Sequence, residues 1–78
     1  MISALNHITP GFGDRLREER ERLSMSQAEF GALADVARLT QSQYESEFRV
    51  PNLRYLAAIA RAGASLQYLL FGKREATA

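Results

Sequence analysis

The stretch Ser26 to Glu45, SQAEFGALADVARLTQSQYE, constrains the chain more than any other, because it reads as two short helices divided by a turn. Ser26 followed by Glu29 is the S-x-x-E of a capping box, and Met25 and Phe30 stand where the accompanying hydrophobic staple forms. Ala28, Gly31 and Ala34 are small enough to admit a second helix closely across the first. Asp35 falls where the chain must turn, and Asp is one of the few non-glycine residues that tolerate the left-handed conformation. Val36 then plugs inward, and a second helix is predicted from about Ala37 to Glu45. Three- and four-residue spacing puts Gln41 and Tyr44 on one face and Arg38, Leu39, Ser42 and Gln43 on the other. That outer face is short, polar and free of acids, a surface suited to touching a partner.

The flanking segments read as further helices. Phe12 to Leu23 is strongly charged, with Phe12, Leu16 and Leu23 on one face. Arg20 falls on the same stripe and needs a carboxylate partner there. Most of its other charges read as a solvated surface with pairs such as Glu18 with Arg22. Ser46 to Asn52 is a loop, since Pro51 disfavours helix at Val50, and Asn52 is a good N-cap for a helix starting at Leu53. Leu53, Leu56, Ala57 and Ala60 are the expected core stripe of that helix, widened by Ile59, and Gly63 ends it. Ser65 caps a last short helix in which Leu66, Leu69 and Leu70 face the core and Tyr68 and Phe71 lie partly outside. Residues 1–11 read as a flexible arm, or alternatively as an apolar strap through Ile2, Leu5 and Ile8, and residues 73–78 as a frayed tail. Five helical patterns with short connections and no strand pattern predict an all-α domain over residues 12–72.

Composition narrows the function classes. Seventy-eight residues make one domain, which buries only about 60% of its unfolded surface. An apolar content of 46% suffices for a small core. The absence of cysteine excludes a disulfide framework, a thiol nucleophile and cysteine-ligated zinc. No apolar run reaches membrane-spanning length and no signal peptide is evident, so the chain reads as soluble and cytoplasmic. There is no glycine-rich phosphate loop and no Ser-His-Asp set; the sole histidine, His7, lies in the arm without a constellation around it. An enzyme, a metal site, a cofactor and a small-molecule substrate therefore find no support. Net charge is only +1, so any basic footprint has to come from the placement of individual arginines.

With these residues in view, the chain resembles the phage-repressor (Cro/cI-like) helix-turn-helix family. The resemblance is carried by Ser26-Gln27, by Phe30, Gly31, Ala34 and Val36, by Tyr44-Glu45, and downstream by Arg49-x-Pro51, Tyr55-Leu56-Ala57-x-Ile59, Ala62-Gly63 and Tyr68-Leu69-Leu70-x-Gly72. It spans roughly residues 12–72 and implies a compact five-helix, lambda-repressor-like DNA-binding domain. In that family the second helix of the motif enters the major groove, which assigns base contacts to Arg38, Leu39, Ser42 and Gln43. Arg38 suits guanine O6 and N7, Gln43 adenine N6 and N7, and Leu39 a thymine methyl. Phosphate contacts pass to Gln27, Arg49, Asn52 and Arg54. The resemblance also offers Glu45 as the partner of Arg20, and Leu66, Leu70 and Phe71 as a dimer contact. It implies a homodimeric transcriptional repressor of phage or bacterial type acting on double-stranded operator DNA, with antitoxin and restriction-control roles sharing the same domain. The other reading is a protein-interaction module that kept the fold and lost DNA affinity.

Three positions depart from the family pattern. Asp35 stands where glycine is usual, Ala37 where serine often caps the recognition helix, and Glu47 where glycine usually follows it. If the chain reverses at Glu47, where a left-handed non-glycine costs about 1–2 kcal/mol, Glu47→Gly would stabilise the domain by about 1 kcal/mol and remove a charge that repels phosphate. If the helix runs through Glu47 and turns later, glycine would destabilise it.

Overall fold

Side-chain caps and apolar spacing set where each helix begins and which face it buries. The computed structural model describes residues 10–74. Among them lie α1 (Phe12–Arg22), α2 (Gln27–Leu33), α3 (Arg38–Glu45), α4 (Leu53–Arg61) and α5 (Leu66–Phe71), and no strand. The Ser26 hydroxyl accepts from the Glu29 amide at 3.1 Å while the Glu29 carboxylate accepts from the Ser26 amide at 2.8 Å, so the expected capping box starts α2. Asn52 and Ser65 cap α4 and α5 by accepting from the amides of Tyr55 and Tyr68. α2 packs on α3, and α1 spans the back of the domain against α3 and α5. Phe12, Leu16, Phe30, Tyr44, Tyr55, Ile59 and Leu69 form the core between them, with Leu23, Met25 and Val36 packed on its edge.

The turn between α2 and α3 is as the sequence predicts. Asp35 has φ 59°, and its amide donates to the Ala32 carbonyl at 3.1 Å. Gly31 is the small residue that lets the two helices approach: a side chain there would meet the Val36 carbonyl at 2.9 Å. Ala28, read as part of the same small stripe, is exposed.

α4 keeps Ile59 and Leu56 of the predicted stripe on the core and corrects the rest. Tyr55, Ala58 and Ile59 are buried, whereas Leu53 is 83% exposed and Ala57 is exposed. Leu53 and Ala57 each lie two positions from Tyr55, about 200° round the helix, so only one set can face inward. Tyr55 wins because its ring packs edge-to-face on Tyr44, centroids 4.7 Å apart, and because its hydroxyl donates to the buried Gln41 side chain.

α1 is also less solvated than its charges suggest. Arg15 and Glu19 are buried beside Phe12 and Leu16. Arg15 donates from Nε and Nη2 to the Leu69 carbonyl at 3.1 and 2.8 Å, closing the end of α5 onto α1. The predicted Glu18–Arg22 pair does not form; Arg22 pairs with Glu19 and the Tyr68 hydroxyl donates to Glu18. Glu19 also accepts from the Ser65 amide and from Arg74, both at 2.8 Å. Arg74 lies 3.8 Å over the Tyr68 ring, so this part of the expected tail is fastened to the domain. The arm residues Ile2, Leu5, His7 and Ile8, and residues 75–78, lie outside the described region.

Candidate nucleic-acid interface on the third helix

One face of α3 is fully committed to the domain. Arg20 grips Glu45 with two hydrogen bonds, Nε to Oε2 at 2.7 Å and Nη2 to Oε1 at 3.2 Å, and donates a third to the Met25 carbonyl at 2.9 Å. This is the ion pair that the resemblance implies. It is mostly buried, with the two side chains 11% and 5% exposed. Glu45 accepts two more bonds, from Gln41 at 2.7 Å and from Gln27 at 3.2 Å, and Gln41 in turn holds the Tyr55 hydroxyl. Burial pushes the Glu45 carboxyl up, but its bonds from Arg20, Gln41 and Gln27 outweigh that and hold it below the usual carboxylate range. The Tyr55 phenol, pushed well above its ordinary value chiefly by burial, stays neutral and able to donate. One polar network thus fixes α3 to α1, α2 and α4. The Gln41–Glu45 link is visible in the sequence as an i, i+4 pair on the inward face. The part Tyr55 takes is not, because the apolar spacing of α4 points Leu53 and Ala57 inward in its place.

The other face is left outward. Arg38 is exposed, Leu39 is 60% exposed, and Ser42 and Gln43 are half-buried. Ala37 sits at the cap position with φ −71° and ψ 159° but supplies no side-chain cap, and no acid lies in the first turn. Arg38 places a cation at a helix N-terminus, where the dipole disfavours it. Local stability rules are therefore broken together at the start of α3, and such breaks concentrate at functional sites. A helix end with free amides and an arginine is suited to an anion.

Of the residues expected at phosphates, Gln27 and Arg49 are bonded to α3, and Asn52 and Arg54 lie at the start of α4. Gln27 opens α2, Arg54 lies in the first turn of α4, and both Asn52 and Arg54 are exposed. Asn52 gives its side-chain oxygen to the Tyr55 amide at 2.9 Å, and Gln27 gives one donor to Glu45, so each has only part of its hydrogen-bonding capacity left for a ligand. Arg49 is exposed, and its backbone amide donates to the Gln43 carbonyl at 3.2 Å, which ties the loop directly to α3. Phe48, in the same loop, is 78% exposed. No helix among the described residues is long and apolar enough to cross a membrane.

A helix-turn-helix family model of the Cro/cI type matches residues 16–69. The chain belongs to this helix-turn-helix family. No curated protein and no solved structure matches it. The match covers both motif helices, all of α4 and most of α1 and α5, and membership points to a DNA-binding transcription regulator. α3 is the second helix of the motif, the position of the recognition helix.

The two acidic departures behave differently. Asp35 is exposed at φ 59°, and Asp35→Gly is expected to raise stability by up to about 1 kcal/mol and to tighten binding to random DNA. Glu47 has φ 64°, so the chain does reverse there, but its carboxylate accepts from the Gly13 amide at 2.9 Å. Glu47→Gly relieves the backbone and loses that bond. The two offset, and stability should change by less than about 1 kcal/mol instead of rising. Thermal melts of both variants check this; a clear gain for Glu47→Gly would show the bond to be worthless.

Proposed function

We propose that the protein is a homodimeric, sequence-specific transcriptional repressor of phage or bacterial type, acting in the cytoplasm on double-stranded operator DNA. Arg38, Leu39, Ser42 and Gln43 read base edges in the major groove, and Gln27, Arg49, Asn52 and Arg54 hold phosphates. The observation that carries this reading is the division of α3: its inner face is locked by Arg20, Gln41 and Tyr55, while its outer face is acid-free and begins at an uncapped end. Fluorescence anisotropy on random duplexes at low salt, with selection of bound sequences from a random pool, tests it. Binding that weakens with salt and a selected consensus are expected. No binding at low salt would leave the alternative, a protein-interaction module on the same fold.

Self-association is expected from size, since one small motif makes too few base contacts and a two-fold dimer reads half-sites about one helical turn apart. The proposed contact is α5, with Phe71 exposed and Leu66 and Leu70 half-buried beside it. Sedimentation at saturating protein should give two monomers per operator, and Phe71→Ser should weaken operator binding. One monomer per operator would rule the dimer out.

A further inference from the structure

From the contacts of Glu47 we infer that this residue is a clamp that positions the C-terminal end of the recognition helix on α1. α1 begins without a side-chain cap of its own, Gly11 being its cap residue. The carboxylate of Glu47, 34 residues away, supplies that cap by accepting from the Gly13 amide at 2.9 Å. A carboxylate at a helix N-terminus gains from both the charged hydrogen bond and the dipole. Gly13 is buried, and a Cβ there would overlap the carbonyl of Glu45 and crowd the Glu47 side chain. The first turn of α1 therefore lies directly against the last residue of α3. Glu47 comes next at φ 64°, its amide donating to the Tyr44 carbonyl at 3.3 Å. The left-handed turn swings the side chain back over α1, and Arg49 then ties the loop to Gln43.

This arrangement explains an acid beside a surface proposed to meet phosphate. The Glu47 carboxylate points to the amino end of α1, so part of its charge is taken up there. What it provides is a second anchor for α3. Arg20 fixes Glu45 from the inner side, and Glu47 fixes the chain two residues on. Gln43, a proposed base reader, lies within the same turn and is bonded to the same loop. For its effect on DNA the inference rests on the proposed function; for the clamp itself it does not.

Three substitutions separate the reach of the side chain from its charge. Glu47→Gln keeps an acceptor at the same distance and removes the charge. Glu47→Asp keeps the charge, is better suited to a positive φ, and is shorter by one carbon–carbon bond, about 1.5 Å. Glu47→Gly has neither reach nor charge. Amide hydrogen exchange read by NMR is expected to leave Gly13 in Glu47→Gln within about twofold of the parent. In the Asp and Gly variants, Gly13 and the amides of Ser46 and Glu47 should exchange at least about tenfold faster, with α5 unchanged. On DNA, the ratio of operator to random affinity should fall several-fold in Asp and Gly and hold in Gln, although Gln alone among the first two removes a charge. Equal Gly13 exchange in all four proteins overturns the clamp. Faster exchange with an unchanged affinity ratio overturns its role in positioning. Failure of the parent to bind any DNA overturns the proposed function, and hydrogen exchange still decides the clamp.

Discussion

Glu45→Ala is expected to cost about 3–5 kcal/mol, the range for removing one partner of a buried ion pair. The loss would strand three groups at once. The Arg20 guanidinium would keep only the Met25 carbonyl, Gln41 would lose the acceptor of its fully buried amide, and Gln27 would lose its own. Arg20→Ala should cost nearly as much, since it leaves a buried carboxylate held by two glutamines. Replacing both charges by apolar residues would spare the ion-pair penalty but still orphan Gln41. Arg20→Met with Glu45→Gln keeps an acceptor for Gln41 and should lie within about 2 kcal/mol of the parent. At about 4–8 °C per kcal/mol for a domain this size, the singles should melt more than 10 °C lower. If either single melts within two degrees or so of the parent, the network is not holding α3.

Glu19→Gln gives the second large effect, and its size depends on pH. Bonds from Arg22, against the opposing effect of burial and with help from the Ser65 amide and Arg74, hold the Glu19 carboxyl at about 2 instead of 4.5. The folded value lies below the unfolded one, so ionised Glu19 stabilises the fold fully above about pH 4.5, and the contribution is lost as pH falls towards 2. The shift corresponds to at most about 3 kcal/mol, reduced by solvent screening around Arg22 and Arg74, which are half exposed. Denaturant melts from pH 7 to pH 2.5 should show parent and variant converging as pH falls. A constant gap across that range would mean that Glu19 contributes by packing, not by charge.

The elements governed by local chemistry are legible in the sequence. The capping box at Ser26, the left-handed turn at Asp35, the caps at Asn52 and Ser65, and the inward Gln41 and Tyr44 all come from short-range rules and all stand, whereas the reversal at Glu47 is one of two outcomes the sequence leaves open and the structure decides for it. The Arg20–Glu45 pair needs the family resemblance to name its partner. Glu19 carries the same signal as Arg20, since it lies three residues after Leu16 and four before Leu23, yet it reads as one charge among many until α5 arrives to cover it. The inward place of Tyr55 on α4 is hidden because Leu53 outweighs Tyr55 on hydrophobicity, while the structure rewards Tyr55 for a hydroxyl that reaches Gln41. Ser24, at φ 59° between α1 and α2, carries none of the turn signals of Asp35. The Glu47 bond joins residues 34 apart and leaves no local trace.

The proposed recognition surface on α3 is tested most directly by titrating salt against single variants on the selected operator and on random duplexes. Gln43→Ala should lose about 1–3 kcal/mol per half-site on the operator and almost nothing on random DNA, because the residue carries no charge. Arg38→Ala should show a comparable operator loss with a smaller one on random DNA. Leu39→Ala should matter only where a thymine methyl meets it. Arg49→Ala and Arg54→Ala should weaken every sequence about equally and lower the salt slope by about one each. If instead Gln43→Ala weakens both duplexes alike while Arg49→Ala affects the operator alone, the outer face of α3 does not read the bases.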